Sequence, residues 1–193
     1  LSALKKASDE QTVELSPVKR SSPNKKAILV VSFGTSYAQT REKTIGAIEE
    51  DFRSAFPEYT IRRAFTSKMI IKKLRERDGI EVDTVAQALE KLEAEGYSTV
   101  ICQPTHVMGG FEFDDVKREV ENWKGRFDHI ACGWPLLTSS EDYEQVTEAL
   151  VQEFSDIPSD AALVLMGHGT EHPANATYPA LDYRLKARGC KNF

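Results

Sequence analysis

The sequence predicts an α/β protein with a mainly parallel sheet, and three observations carry that prediction. Short apolar runs alternate with amphipathic stretches about 10–15 residues long, the pattern of successive strand–helix units. The first run, residues 27–31, is apolar without interruption, as a strand covered on both faces requires. Each apolar run then ends in a polar loop marked by Gly or Pro: SFGTS, AFTS, QPTHVMGG, CGWP and GHGTEH. In a parallel sheet such loops share one rim, beyond the carboxyl ends of the strands, where ligands bind.

The elements follow in order. Residues 1–26 are polar, charged and aperiodic, and are expected to form a disordered leader. Their first residues, LSAL, suit the tail of an export signal, so a periplasmic location stays open beside a cytoplasmic one. KAILVVSFGTS holds the first strand. Residues 39–55 read as a helix with Ile45, Ile48 and Phe52 on one face. YTIRRAF (59–65) is the second strand. SKMIIKKLRERDG is a helix ended by Gly79. VDTVAQALEKLEAEG is another, with Val85, Ala88, Leu89 and Leu92 at helical spacing and Gly96 as its carboxyl cap. STVICQPTHV is the third strand and DDVKREVENWKGRF the next helix. HIACGWPLL is the fourth strand, followed by the helix EDYEQVTEALVQEF. AALVLMGHGTE opens the cycle again as a strand, and ATYPALDYRLKARG is a helix closed by Gly189.

That reopening has an internal counterpart. AILVVSFGTSY (27–37) aligns with ALVLMGHGTEH (162–172), which places Gly34-Thr35 on Gly169-Thr170 and Phe33 on His168. Chance is one reading of so short a match and duplication the other. Under duplication the second half repeats the first with an imidazole in place of an apolar ring, and the two Gly-Thr loops face each other across a cleft. A restart with one strand and one helix cannot bury a core of its own. The expected organisation is thus a leader over 1–26, an amino-terminal α/β domain over 27–155, and the beginning of an incomplete second domain over 160–193.

Composition narrows the function. A net charge of −5 gives no reason to expect a nucleic-acid or membrane surface. No apolar run approaches the ~20 residues of a membrane span. Cys102, Cys132 and Cys190 lack CxxC spacing, which argues against a zinc ribbon or a disulfide framework, and Cys102 reads as a small buried hydrophobe. SFGTS could hold an anion on its backbone N–H groups, but it is neither GxGxxG nor GxxxxGK[ST], so a nucleotide is not expected. The GxSxG elbow of a hydrolase serine is absent as well.

Of only four histidines, two stand in GHGTEH. His168, between glycines at a strand end, suits a metal ligand or a proton acceptor; a histidine hydrogen-bonded within its loop is the competing reading. His172, followed by Pro173, reads mainly as a residue that shapes the loop. In QPTHVMGGFEFDD, the glycines 109 and 110 allow a turn, and Glu112 on that loop could ligate a cation or take up protons. Asp114 and Asp115 read as the start of a helix. Arg62 and Arg63, near the rim, are candidates to meet substrate carboxylates.

Four segments together resemble one family: ILVVSFGTSYAQTREKTI, RRAFTSKMIIKKL, VICQPTHVMGGFEFDD and LMGHGTEHPANATYPALD. They are similar, in order and over residues 27 to about 185, to the anaerobic sirohydrochlorin cobalt chelatases, the class II chelatases of early-insertion cobalamin biosynthesis. The resemblance implies a class II chelatase fold of two similar domains, each a mainly parallel sheet flanked by helices, with the tetrapyrrole in the cleft between them. It implies insertion of Co²⁺ into sirohydrochlorin or precorrin-2 without ATP, with release of two protons, by a homo-oligomer. His168 would be metal ligand and proton acceptor, and Glu112 would face the metal and the macrocycle. Ser32, Gly34, Thr35, His106, Gly110, Gly169 and Thr170 would contact the substrate, and Phe33, Met108, Phe111 and Trp134 would line the bowl. A second metal-binding histidine and a further glutamate are expected beyond residue 193. Insertion of Fe²⁺ for sirohaem, or a non-catalytic tetrapyrrole or metal carrier, are the alternatives.

Overall fold

The computed structural model describes residues 24–158 and 160–193; the expected leader lies, up to residue 23, outside the described residues. The described chain gathers into two units. One comprises the chain up to His106 together with Glu112–Trp134, and the other Val107–Phe111 with Pro135–Phe193.

The first unit is an α/β sheet structure. Its elements are β1 (Lys26–Ser32), α1 (Ala38–Arg41), a π-helical segment (Glu42–Gly46), α2 (Ala47–Ala55), β2 (Thr60–Phe65), α3 (Lys68–Asp78), α4 (Val85–Ala94), β3 (Thr99–Pro104), α5 (Phe111–Asn122) and β4 (His129–Cys132). The strands run in the order β2-β1-β3-β4, all parallel. β1 is central, and residues 27–31 are fully buried, as their unbroken apolar run predicts. Ala27, Leu29 and Val31 pack with Val85, Ala88, Leu89 and Leu92 of α4 and with Val116 and Val120 of α5. A second cluster joins Phe65 to Ile45, Leu74 and Val82. Each large side chain buried in these clusters contributes about 1.5–3 kcal/mol.

Local sequence sets the helix boundaries. Ser67 caps α3 by accepting from the Ile70 N–H, and Gly79 ends the helix in the left-handed region. Thr84 and Gln87 form a capping box at the start of α4, each side chain satisfying the other's backbone N–H.

Four expectations need correction. The helix over 39–55 is present but passes through a π-helical turn at Glu42–Gly46. The third and fourth strands are shorter than expected and end at Pro104 and Cys132; the third stops at a proline, which has no N–H for the ladder, and the fourth stops before Gly133. α5 starts at Phe111, so Glu112 stands in the first turn of a helix and not on a loop; the helix dipole favours a carboxylate there. Finally, Arg62 and Arg63 sit in mid-strand, in register with Leu29 and Val30, away from the rim. Arg62 pairs with Glu95, and Arg63 grips the buried Glu49 through two bonds of 2.6 Å each. A buried carboxylate left without its fork would carry a heavy desolvation cost, so Arg63 is structural, while Arg62 is held in a pair exposed to solvent.

The second unit holds α6 (Ser140–Glu153), a 3₁₀ turn (Pro173–Ala176) and α7 (Thr177–Ala187). A capping box between Ser139 and Asp142 opens α6. Glu144 of α6 accepts from Arg184 of α7 and from Arg188, and the two guanidiniums hold its carboxyl below the ordinary range. The strand expected over residues 161–171 is not formed. Among the described residues of this unit there is no strand for it to pair with, and a lone strand leaves its N–H and C=O groups unmatched. Its apolar side chains are correspondingly uncovered: Val164 is 81% and Met166 94% exposed. No helix among the described residues is long and apolar enough to cross a membrane.

Candidate functional site

The carboxyl ends of the strands present the expected rim within the first unit. Ser32 closes β1, and its Oγ accepts from the Thr105 hydroxyl at 2.8 Å, tying β1 to the residue that follows β3. The Thr105 N–H donates to the Val31 carbonyl, and the Thr66 N–H to the Ser32 carbonyl. The three loops are thus laced by backbone bonds before any ligand arrives. Gly34 has φ +97°, and a Cβ there would stand 2.5 Å from Cδ2 of the fully buried Phe65. Thr35 caps its own loop, its Oγ1 accepting from the Tyr37 N–H at 3.3 Å while its carbonyl receives Arg41. Arg77 reaches the Ser36 carbonyl. Phe33 in this loop and Trp134 after β4 expose 47% and 43% of their surfaces, large apolar faces left open beyond the strand ends.

His106 follows β3, and both of its ring nitrogens are buried without a hydrogen-bond partner among the described residues. Burial pushes its pKa below the ordinary 6.5, against a smaller upward pull from Glu112. The sign of the consequence is fixed. Below about 6.5 the unfolded imidazole takes a proton that the folded one resists, so stability falls as pH falls through that value. Thermal unfolding should show a midpoint that declines from pH 7 to pH 5, and His106→Phe should flatten that part of the profile. An unchanged slope in the variant would remove His106 as the cause.

Glu112, in the first turn of α5, lines a groove of ≈ 440 Å³ whose walls include Thr66, Thr84, Lys68 and Arg118. Three carboxylates, of Glu112, Asp115 and Glu119, and two cations, of Lys68 and Arg118, therefore border one open depression. That mixture can hold a polar, multiply charged edge while a carboxylate stays available to a cation or a proton.

The GHG loop belongs to the second unit, and each of its glycines has a separate cause. A Cβ on Gly167 would fall 2.0 Å from the ring of Tyr178, so only glycine admits that ring. Gly169 has φ +71°, in the left-handed region. Between them His168 is exposed, and its Nδ1 lies 2.6 Å from the Gly169 carbonyl oxygen. A carbonyl oxygen only accepts, so Nδ1 carries the proton and Nε2 presents a lone pair. The Gly169 N–H in turn donates to the Tyr178 hydroxyl at 3.3 Å. Thr170 is held from both sides: its N–H donates to Asn175 Oδ1, and its Oγ1 accepts from the His172 N–H. His172 caps the 3₁₀ turn, its Nδ1 accepting from the Ala174 N–H at 3.0 Å, and its ring meets Phe111 edge-on at 4.8 Å. It has the loop-shaping position that Pro173 suggests.

Gly110 lies with Phe111 in the second unit, whereas Ser32, Gly34, Thr35, His106 and Glu112 lie in the first. Among the described residues no three His, Cys, Asp or Glu side chains are gathered as a metal cage. Tyr178 and Asn175 are the residues that sequence reasoning passed over. Their signal was faint: a tyrosine in a helix ten positions beyond a histidine says nothing until Gly167 is known to face it.

Comparison with known proteins agrees with this arrangement of motifs. The profile of the family described as cobalt chelatase (CbiK) matches residues 26–193. A sirohydrochlorin cobaltochelatase of Salmonella typhimurium is 47% identical over 164 residues, covering 85% of this chain and 62% of that protein. A sirohydrochlorin cobaltochelatase, CbiKC, of Nitratidesulfovibrio vulgaris is 35% identical over 170 residues, covering 86% of this chain and 60% of that protein. The chain spans about three fifths of the length of these curated relatives. Four ordered motifs, a parallel α/β sheet and a match running from β1 to the last residue lead to one conclusion: the chain belongs to the cobalt chelatase family.

Proposed function

We propose that the protein inserts Co²⁺ into sirohydrochlorin without ATP. The observation that carries the reading is His168, set on a loop whose glycines and backbone bonds engage Nδ1 as donor and leave Nε2 as the lone-pair nitrogen of the neutral ring. The reaction exchanges one Co²⁺ for two pyrrole N–H protons, so the protein must loosen the ion's waters and supply a base near the ring. Neutral imidazole does both at neutral pH, since it binds first-row divalent ions and accepts protons near its own pKa. Loose ligation is an advantage here, because the ion must leave the protein for the macrocycle. The relatives' names and the family support cobalt as the metal.

Glu112 is assigned a part in handling the metal or the protons, supported by its place on a depression shared with Lys68 and Arg118. Those two cations replace Arg62 and Arg63 as partners for substrate carboxylates. The apolar faces of Phe33 and Trp134 suit the flat ring. Ser32, Gly34, Thr35 and His106 are proposed to line the substrate, supported by their place on the rim loops of the first unit, and Gly110, Gly169 and Thr170 of the second, supported by the family match that runs through their motifs. The domain reading, 27–155 and a second beginning at 160, is supported by the repeated Gly-Thr loops.

The test is spectrophotometric, because metallation changes the absorption of sirohydrochlorin. Protein, Co²⁺ and sirohydrochlorin without nucleotide should give the metallated spectrum at a rate proportional to protein. Tetrapyrrole binding with no rate above the protein-free control would replace an enzyme by a carrier, and a preference for Fe²⁺ would move the activity to sirohaem formation. In the same assay Glu112→Gln should lower kcat roughly ten-fold or more while leaving tetrapyrrole binding intact, the mark of a group that acts on the reacting centre. Unchanged insertion by that variant would return Glu112 to helix-start duty alone.

A further inference from the structure

We infer that Tyr178 is a positioning residue that sets the tautomer of His168. The inference rests on the proposed role of His168 and adds a residue to it. Two independent contacts single Tyr178 out. Its ring fills the space where a Gly167 Cβ would stand, 2.0 Å from Cε1, and its hydroxyl accepts the Gly169 N–H at 3.3 Å. One side chain therefore touches the backbone on both sides of His168.

The connection to the imidazole runs through a single residue. Gly169 gives its N–H to Tyr178 and its carbonyl to His168 Nδ1. The peptide groups before and after Gly169 turn with its φ and ψ, and the φ of +71° places this residue in a region that only a held glycine occupies steadily. Anchoring the N–H thus limits where the carbonyl can point, and the carbonyl decides which ring nitrogen keeps the proton. A ligand histidine with its distal N–H fixed by a carbonyl presents the other nitrogen in one direction and with more basic character. Tyr178 stands in the first turn of α7, a helix tied to α6 through Arg184 and Glu144, so the anchor itself is backed by packed structure.

The experiment reads tautomer and turnover together, on the full chain. Tyr178→Phe keeps the ring against Gly167 and removes only the hydroxyl; Tyr178→Leu removes both and serves if the phenylalanine change is silent in fold. Long-range ¹⁵N–¹H spectra of the imidazole should show one nitrogen protonated and the other bearing a lone pair in the parent protein. In Tyr178→Phe the two nitrogen shifts should move toward each other as the tautomers mix, and kcat for cobalt insertion should fall about three- to ten-fold with KM for the tetrapyrrole unchanged, a loss at the modest end for an indirect contributor. A tautomer pattern unchanged in both variants overturns the inference, whatever happens to the rate. If His168→Ala itself retains full activity, the proposed role of His168 falls, while the spectral result still decides whether Tyr178 governs the imidazole.

Discussion

His168→Ala should lower cobalt insertion by ~10²–10⁴, because one substitution removes the proposed proton acceptor and metal ligand together. His172→Ala should only reduce the rate, since His172 accepts from the Ala174 N–H and lies against Phe111, where it supports the loop that carries His168. The comparison of the two is the informative measurement, made by following metallated sirohydrochlorin at matched protein concentration. If His168→Ala keeps more than about a tenth of the parent rate, well above the loss expected of a general base, His168 is not the reacting centre. If the two variants lose equally, loop shape and not chemistry is what the motif supplies.

Gly34→Ala should be the most damaging small change in the first unit. The backbone at this position has φ +97°, which an L side chain resists at about 1–3 kcal/mol. The new methyl would also stand 2.5 Å from Phe65, a fully buried ring, and overpacking of that kind costs about 1–3 kcal/mol more. Together the loss should be about 2–6 kcal/mol, provided that neither strain is relieved by a shift of the other. Denaturant unfolding would show a lower midpoint with an unaltered slope. A loss below about 1 kcal/mol would mean that Phe65 moves freely, against its complete burial. The rim loop would also be displaced, so cobalt insertion should suffer even where the variant remains folded.

Much of the first unit was legible because its signals are local and agree with each other. The run 27–31 could only be a doubly covered strand, and Leu89 and Leu92 could only face a core. Gly79 stopped its helix where it was expected to. What failed needed a partner that no local pattern names. Arg62 and Arg63 looked available until Glu95 and Glu49, distant in sequence, claimed them. The apolar run after residue 161 has the composition of a strand, but a strand is a pairing, and the described residues of its unit offer none. Glu112 was assigned to a loop because the two preceding glycines suggested a longer turn than the one that forms.

For the candidate site, motif spacing singles out His168 but not the reason for its setting. The glycines around it were read as giving the imidazole room. Gly167 instead makes room for Tyr178, and Gly169 supplies a left-handed turn whose carbonyl engages the ring. Both causes come from a helix that begins eight residues after Gly169, at Thr177, and neither is visible until that helix is placed.

The position of β1 at the centre of the sheet has a consequence for how the chain is made. Ala27 pairs with Thr60 on one side and with Val100 on the other, so its second neighbour is synthesised 100 − 27 = 73 residues later. At a translation rate of about 5–20 residues per second, that interval is roughly 4–15 s. The most apolar segment of the first unit therefore leaves the ribosome early and remains half-finished while the rest is added. Biogenesis of this protein is governed by waiting: residues 27–31 stay half-paired until β3 emerges, and slower elongation lengthens the exposure.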